Sequence, residues 1–311
     1  GLKRLYAAGR DRGSRRVLDE TRDFGWAMGS DLRDQCTLTA TLWALDRSPE
    51  RLPQRQAFLR GLQDLYAGDT ASLDTQSSLR CLLALRAVDE TLADGVAAST
   101  VTVGHGTAEA RLSLDGARPE ARWQSPATAG ELDIDPAEGA DATLNYVARL
   151  QFRQDQALVE ARGVGLGLQR RYAVLRGGRW QPLEAATPRE GEWVRVTLVL
   201  QVPALRHFVA ITDPVPGGWV TRDVGLAGVA GANVQGLADP GSGWFATRQT
   251  GATEVRLYAE ALPPGRHEVH YFAQAVHPGR YFAPPAVAEL MYGRASRANT
   301  AGSWVEIRAL D

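Results

Sequence analysis

Between Leu32 and Trp43 apolar and small residues return at three- and four-residue steps: Leu32, Cys36, Thr39, Leu42 and Trp43. Leu45 closes the run before Asp46 and Ser48-Pro49. That period lines one face of an α-helix. Pro53 opens a second helix, with Phe58, Leu59, Leu62 and Leu65-Tyr66 as its inward stripe and Gly68 as its stop. A third helix, capped by Ser72 or Asp74, carries Leu79, Leu82, Leu83, Leu85 and Val88. Short links between such helices predict an antiparallel hairpin array within residues 1–95.

From about Val96 the period becomes two. Val101-Thr102-Val103 and Ala110-Arg111-Leu112-Ser113-Leu114 alternate, and Asp115-Gly116 supplies a tight turn. Leu132-Asp133-Ile134 predicts another strand and Ala142 to Phe152 a longer one, so residues 96–160 read as all-β. In residues 161–311, Gly163 to Leu168 alternates glycine with apolar residues and runs on through Leu175 to Gly177-Gly178. Trp193 to Val202 is a mostly apolar strand stopped by Pro203. Phe208 to Asp213 follows and ends at Pro214-Val215-Pro216-Gly217-Gly218-Trp219. Thr253 to Tyr258 and Glu268 to Ala275 are joined through Pro263-Pro264-Gly265, while Gly- and Ala-rich residues 225–245 predict a long loop. This spacing predicts an antiparallel sandwich of about seven strands.

The last thirty or so residues combine several signals. After the turn at Pro278-Gly279, Tyr281 and Phe282 precede Ala283-Pro284-Pro285, whose prolines impose a stiff extended backbone. Ala286 to Tyr292 is a short apolar stretch stopped by Gly293, and Trp304-Val305-Glu306-Ile307 predicts a closing strand. The expected fold class is multidomain, α then β.

Composition narrows the function. A chain of 311 residues, 44% hydrophobic, buries more than one core. A formal net charge of −1 offers no electrostatic footprint for nucleic acid or a strongly acidic partner. No apolar run approaches a membrane span. The opening Gly1-Leu2-Lys3-Arg4, without Met or signal peptide, reads as a fragment or processed product. Cys36 and Cys81 are the only cysteines, too few for a disulfide-stapled scaffold. Each sits in an apolar helical pattern and reads as a small buried hydrophobe. A bridge between them in an oxidising compartment stays open, since sequence does not set the geometry.

No catalytic, metal or cofactor constellation emerges. His267 and His270, three apart in a strand, fall on opposite faces. His207 stands beside a strand start and His277 before a turn, which suits satisfied or surface histidines. A nucleophilic cysteine needs a nearby histidine, and the helical region contains none. Gly163-x-Gly165-x-Gly167 has no following helix to meet a phosphate, so close backbone approach explains it better. Asp133 and Asp135 read as a solvated strand face.

Three stretches carry a family resemblance. Leu73-Asp74-Thr75-Gln76-Ser77-Ser78-Leu79, followed by Leu82-Leu83-Ala84-Leu85, resembles the last helix of the α/α-toroid thioester domain in bacterial α2-macroglobulin-like proteins. Phe208 to Gly218 resembles that family's strand ending in Asp-Pro-x-Pro-x-Gly, and Ala288-Glu289-x-Met291-Tyr292 its closing signature. The resemblance implies partial toroid helices over 1–95, a CUB-like β segment over 96–160 and a terminal macroglobulin-type β-sandwich over 161–311. It implies a broad-range endopeptidase inhibitor that entraps proteases after cleavage of an upstream bait. Its partners would be target proteases and the upstream domains of the same protein. The place implied is the periplasm, with attachment to the envelope through an N-terminal anchor absent from this chain. The family's Cys-x-Glu-Gln thioester does not occur here: Cys36 precedes Thr37-Leu38-Thr39 and Cys81 precedes Leu82-Leu83-Ala84. In thioester members the Met-Tyr pair shields the reactive acyl group from water. The resemblance thus implies that Tyr281, Phe282, Met291 and Tyr292 form one aromatic latch against the helices; ordinary sandwich or interdomain packing of Met291 and Tyr292 is the alternative. A β-sandwich cell-surface adhesin or scaffold is the alternative, which accounts poorly for the helices.

Overall fold

The computed structural model describes residues 1–18, 26, 29–68, 74–92, 98–115, 120–126, 130–137, 144, 146–223, 243–292 and 296–310. The chain divides into two compact units, residues 1–22 with 31–153, and residues 23–30 with 154–311.

In the first unit α1 (Leu2–Ala7) precedes a hairpin of β1 (Gly9–Arg12) and β2 (Arg15–Leu18), then α2 (Asp31–Leu45), α3 (Leu52–Gly68) and α4 (Thr75–Leu92). Leu32, Cys36, Thr39, Leu42 and Trp43 are buried as their spacing predicts, and so are Phe58, Leu59 and Leu62. Leu45 is exposed, because α2 ends there and Asp46 turns inward instead. The side chain of Tyr66 lies outside the described residues, as does Ser72. Asp74 caps α4, accepting from the Ser77 backbone N–H at 2.9 Å and from its hydroxyl at 2.6 Å.

Two expectations for the helical region are corrected. The hairpin interrupts the helical region. Its polar, arginine-rich strands carry no apolar alternation, and it is held from outside: Gln35, fully buried, donates to the carbonyls of Arg16 and Phe58 at 2.9 Å each. The same side chain accepts from the Leu18 N–H at 3.0 Å. Gly61 in α3 leaves the space in which the Arg16 backbone lies, where any Cβ would collide. The second correction concerns α4. Ser77, Cys81, Ala84 and Val88 face inward, while Leu79, Leu82, Leu83 and Leu85 are exposed, Leu82 by 65%. The Cys36–Cys81 disulfide, with Cα atoms 4.8 Å apart, turns the small-residue face towards α2. Small residues permit the close approach that four leucines would block.

Tyr6, Asp46, Ser48 and Arg55 close the α2–α3 link. Asp46 accepts from the Ser48 hydroxyl at 2.6 Å, the Ser48 N–H at 3.0 Å and the Tyr6 hydroxyl at 2.8 Å, with Arg55 3.5 Å away. Those hydrogen bonds, Ser48 foremost, lower its carboxyl to about 2. After α4 comes an antiparallel sheet of β3 (Ser99–His105), β4 (Ala108–Leu114) and β5 (Leu132–Pro136), in the order β4-β3-β5. Gly116, the second residue of the predicted turn, lies outside the described residues. Of the strand predicted over 142–152, residues 142, 143 and 145 lie outside the described residues; the described residues 146–152 pair with no strand, and Phe152 is 71% exposed. Apolar alternation alone cannot make a strand without a neighbouring edge.

The second unit contains β6 (Arg162–Val164), β7 (Gly167–Arg176), β8 (Arg179–Pro182), β9 (Trp193–Val202), β10 (Arg206–Pro214), β11 (Trp219–Arg222) and β12 (Thr247–Thr250). These are followed by β13 (Glu254–Leu262), β14 (Gly265–Ala275), β15 (Gly279–Ala283), β16 (Val287–Leu290), β17 (Arg297–Asn299) and β18 (Ser303–Ile307). Among the described residues they form antiparallel sheets ordered β12-β13-β10-β16-β17-β6 and β11-β14-β9-β7-β8, with β15-β18 as a separate pair. That is more strands than the periodicity shows, because β6, β16 and β17 are too short to display a period. One core joins the sheets: Val194, Val196, Leu198 and Leu200 of β9 and Val269 and Tyr271 of β14 cluster with Val209 and Ile211 of β10 and Val255 and Leu257 of β13. The loop predicted over 225–245 falls almost wholly outside the described residues. No helix among the described residues is long and apolar enough to cross a membrane.

Candidate functional site

Strand β10 organises what the sequence singles out. Val209, Ile211 and Asp213 are buried and share one parity, so the carboxylate at 213 is carried into an apolar interior. A buried carboxylate needs a cation, and Arg170 of β7 supplies it across the sandwich at 2.5 Å. The Tyr271 hydroxyl of β14 donates to the other oxygen at 2.9 Å, and Arg170 also donates to the Ala283 carbonyl at 3.3 Å. Burial pushes the Asp213 carboxyl above the usual carboxylate range, while Arg170 and the Tyr271 hydroxyl pull it down. These residues pin the two sheets and β15 at the point where the Asp-Pro-x-Pro-x-Gly motif begins. Periodicity could have exposed this pair, since Asp213 continues the inward parity of Val209 and Ile211.

The motif's glycines then make a slot. A Cβ on Gly217 would lie 2.9 Å from the Tyr281 ring, and one on Gly218, at φ 78°, would collide with it. Tyr281 fills that slot and donates from its hydroxyl to the Pro278 carbonyl at 3.2 Å. Phe282 packs over Gly302 and meets the Trp304 ring at 5.4 Å, with Arg280 stacked on the far aromatic at 4.6 Å. Trp304 is 54% exposed.

Met291 and Tyr292 stand elsewhere. Regular pairing of β10 with β16 runs from Thr212↔Val287 to Val209↔Leu290. Beyond it the Met291 N–H donates to the Phe208 carbonyl at 2.8 Å, and the Tyr292 ring meets Phe208 edge-on at 5.2 Å. Met291 is 42% exposed. Phe208 lies near the start of β10 and the Tyr281 slot lies past its end. At strand rise, the six steps from Phe208 to Pro214 alone span about 20 Å. The expected single aromatic corner is thus two places: Tyr281 and Phe282 pack within the sandwich at one end of β10, Met291 and Tyr292 at the other. Phe208, which the sequence marks only as a strand residue, joins the second.

Both cysteines are joined to each other, so neither is a free thiol. His267 is buried with its Nε2 2.7 Å from the Pro263 carbonyl, and His270 lies on the opposite face of β14. Gly163 allows the Leu166 carbonyl to approach where a Cβ would collide, and Gly165 turns at φ 66°. Asp133 and Asp135 are exposed on β5. Among the described residues no group of three or more His, Cys, Asp or Glu side chains is placed to hold a metal ion.

Residues 165–293 match the family described as the bacterial alpha-2-macroglobulin MG10 domain. No curated relative matches the sequence. Among solved structures, Salmonella alpha-2-macroglobulin reacted with methylamine superposes with a TM-score of 0.58 at 17% identity, over 94% of this chain and 18% of that one. Native alpha-2-macroglobulin from Escherichia coli, spanning domain MG7 to the C-terminus, gives 0.55 at 17% identity, over 90% of this chain and 42% of that one. The chain therefore spans less than a fifth of the Salmonella protein's length, and at such identities the likeness is one of fold. The sequence match is narrower and firmer: it is confined to residues 165–293, which are similar to the MG10 domain of bacterial alpha-2-macroglobulins.

Proposed function

We propose that this chain is the C-terminal part of a broad-range endopeptidase inhibitor that entraps proteases after an upstream bait segment is cut. The MG10 match over residues 165–293 is the observation that carries the reading. The first unit is taken as the end of an α/α-toroid followed by a CUB-like β segment. Two features support this. Helix α4 is apolar on two sides, Cys81, Ala84 and Val88 inward and Leu79, Leu82 and Leu83 outward, as a helix between two layers is. Tyr146, Val147, Leu150 and Phe152, in a run that pairs with no strand, expose apolar side chains that suit pairing with another β segment. The contribution of this chain is mechanical rather than catalytic. Met291 and Tyr292, at a chain reversal and only partly covered, are the part of the earlier four-residue latch suited to dock on the helical domain and exclude water there. Target proteases and upstream domains are the partners. The Cys36–Cys81 bridge suits an oxidising compartment and so a periplasmic, envelope-associated location.

Entrapment is tested on the complete protein that contains this chain. After incubation with an endopeptidase, cleavage of a large protein substrate is expected to fall sharply while cleavage of a small peptide substrate persists, because a caged protease excludes only bulky substrates. Equal cleavage of both, with and without the protein, would remove the inhibitor reading.

A further inference from the structure

Among the described residues Phe208 is the non-glycine residue with positive φ, at 53°. It stands inside β10, between His207 and Val209, both of which pair with β13. Left-handed backbone brings an L-residue's Cβ against the following carbonyl, and an aromatic residue has no local hydrogen bond to offset that. Such strain persists only where the surroundings over-determine it, and it gathers at places with a task. Here the surroundings are specific. The Phe208 carbonyl holds the Met291 N–H at 2.8 Å, and its ring stands at 87° to that of Tyr292 with centroids 5.2 Å apart. The His207 ring is tilted against it at 6.4 Å. Regular pairing with β16 has already ended at Val209↔Leu290, and Met291 is too exposed to be held by its own burial.

We propose that Phe208 is the positioning residue for the Met291–Tyr292 tip. One strained residue grips the tip twice, by backbone at 291 and by ring at 292. It sets the direction in which the tip leaves the sheet. The value of that direction rests on the reading above, in which the tip docks on a helical domain.

The sequence contains only two methionines, Met28 and Met291, so methyl-13C-methionine NMR of the full chain gives two signals, and a Met28→Leu variant identifies the one from the tip. In Phe208→Gly the backbone is relaxed and the ring is gone. The Met291 methyl signal is expected to move and sharpen towards that of a freely mobile methionine. Phe208→Tyr keeps ring and tip, and its Met291 signal is expected at the wild-type position. Phe208→Ala loses the ring but keeps the strain. It should unfold with an equilibrium constant roughly five- to thirtyfold higher than Phe208→Gly. An unmoved Met291 signal in Phe208→Gly, or Phe208→Ala as stable as Phe208→Gly, overturns the proposal. Docking is read separately, by hydrogen exchange over residues 31–92 in the Met291→Ala, Tyr292→Ala double variant. Faster exchange supports docking. Unchanged exchange removes the docking reading alone, and the positioning role then stands or falls on the NMR result.

Discussion

Two buried carboxylates decide much at the residue scale. Asp213 and Arg170 are both almost wholly removed from water. Replacing Arg170 by Met would leave a carboxylate in the sandwich core without its cation. The expected loss of stability is about 3–5 kcal/mol, read from the urea midpoint. A loss below about 1 kcal/mol, the range of solvent-exposed pairs, would mean that water reaches Asp213. Asp46 acts differently, because its partners lower its carboxyl from 3.8 to about 2. Its folded value lies below its unfolded one, so the ionised form adds stability above pH 3.8. That contribution is lost as the pH falls through the folded value. The gap in melting temperature between the wild type and Asp46→Asn should therefore be full near neutrality and close as the solution is taken towards pH 2. A gap that stays constant down to that pH would refute the assignment. Neither role is visible in composition, but the parity of Val209, Ile211 and Asp213 along one strand already marks 213 as an inward position.

At the scale of elements, spacing told which segments are helix or strand but not always which side is covered. Helix α4 shows why. Its leucines recur at helical steps, yet the buried face is the one with Ser77, Cys81, Ala84 and Val88. A helix with apolar residues on two sides has two readings, and the bond from Cys81 to Cys36 of α2 selects one. That bridge closes 45 residues of chain, so loop closure predicts about 4 kcal/mol of stabilisation for the helical array, with native distortion able to reduce it. Adding a reductant should lower the melting transition of residues 1–92 and speed hydrogen exchange in α4 before it affects the sandwich. Equal transitions with and without reductant would show that the bridge adds nothing. The β1–β2 hairpin was illegible for the opposite reason. Its strands are polar, and Gln35 and the absent side chain of Gly61 hold it from helices distant in sequence.

For the whole molecule, the succession of helices, small sheet and sandwich follows from the chain itself. Periods of 3.6 and 2 are local, and the apolar runs of β9 and β14 are long enough to make their own case. The motifs at Phe208 to Gly218 and Ala288 to Tyr292 lie within the stretch that matches the MG10 domain. Tertiary structure decided the rest. It put Tyr281 in a slot between glycines and set Met291 and Tyr292 on the strained Phe208, at opposite ends of one strand. It also joined two cysteines 45 residues apart. The physical reason is the range of each effect. Hydrophobic period and turn chemistry act within a few residues and are written along the chain. Ion pairs, ring contacts and disulfides join positions whose distance is set only when the strands and helices have packed.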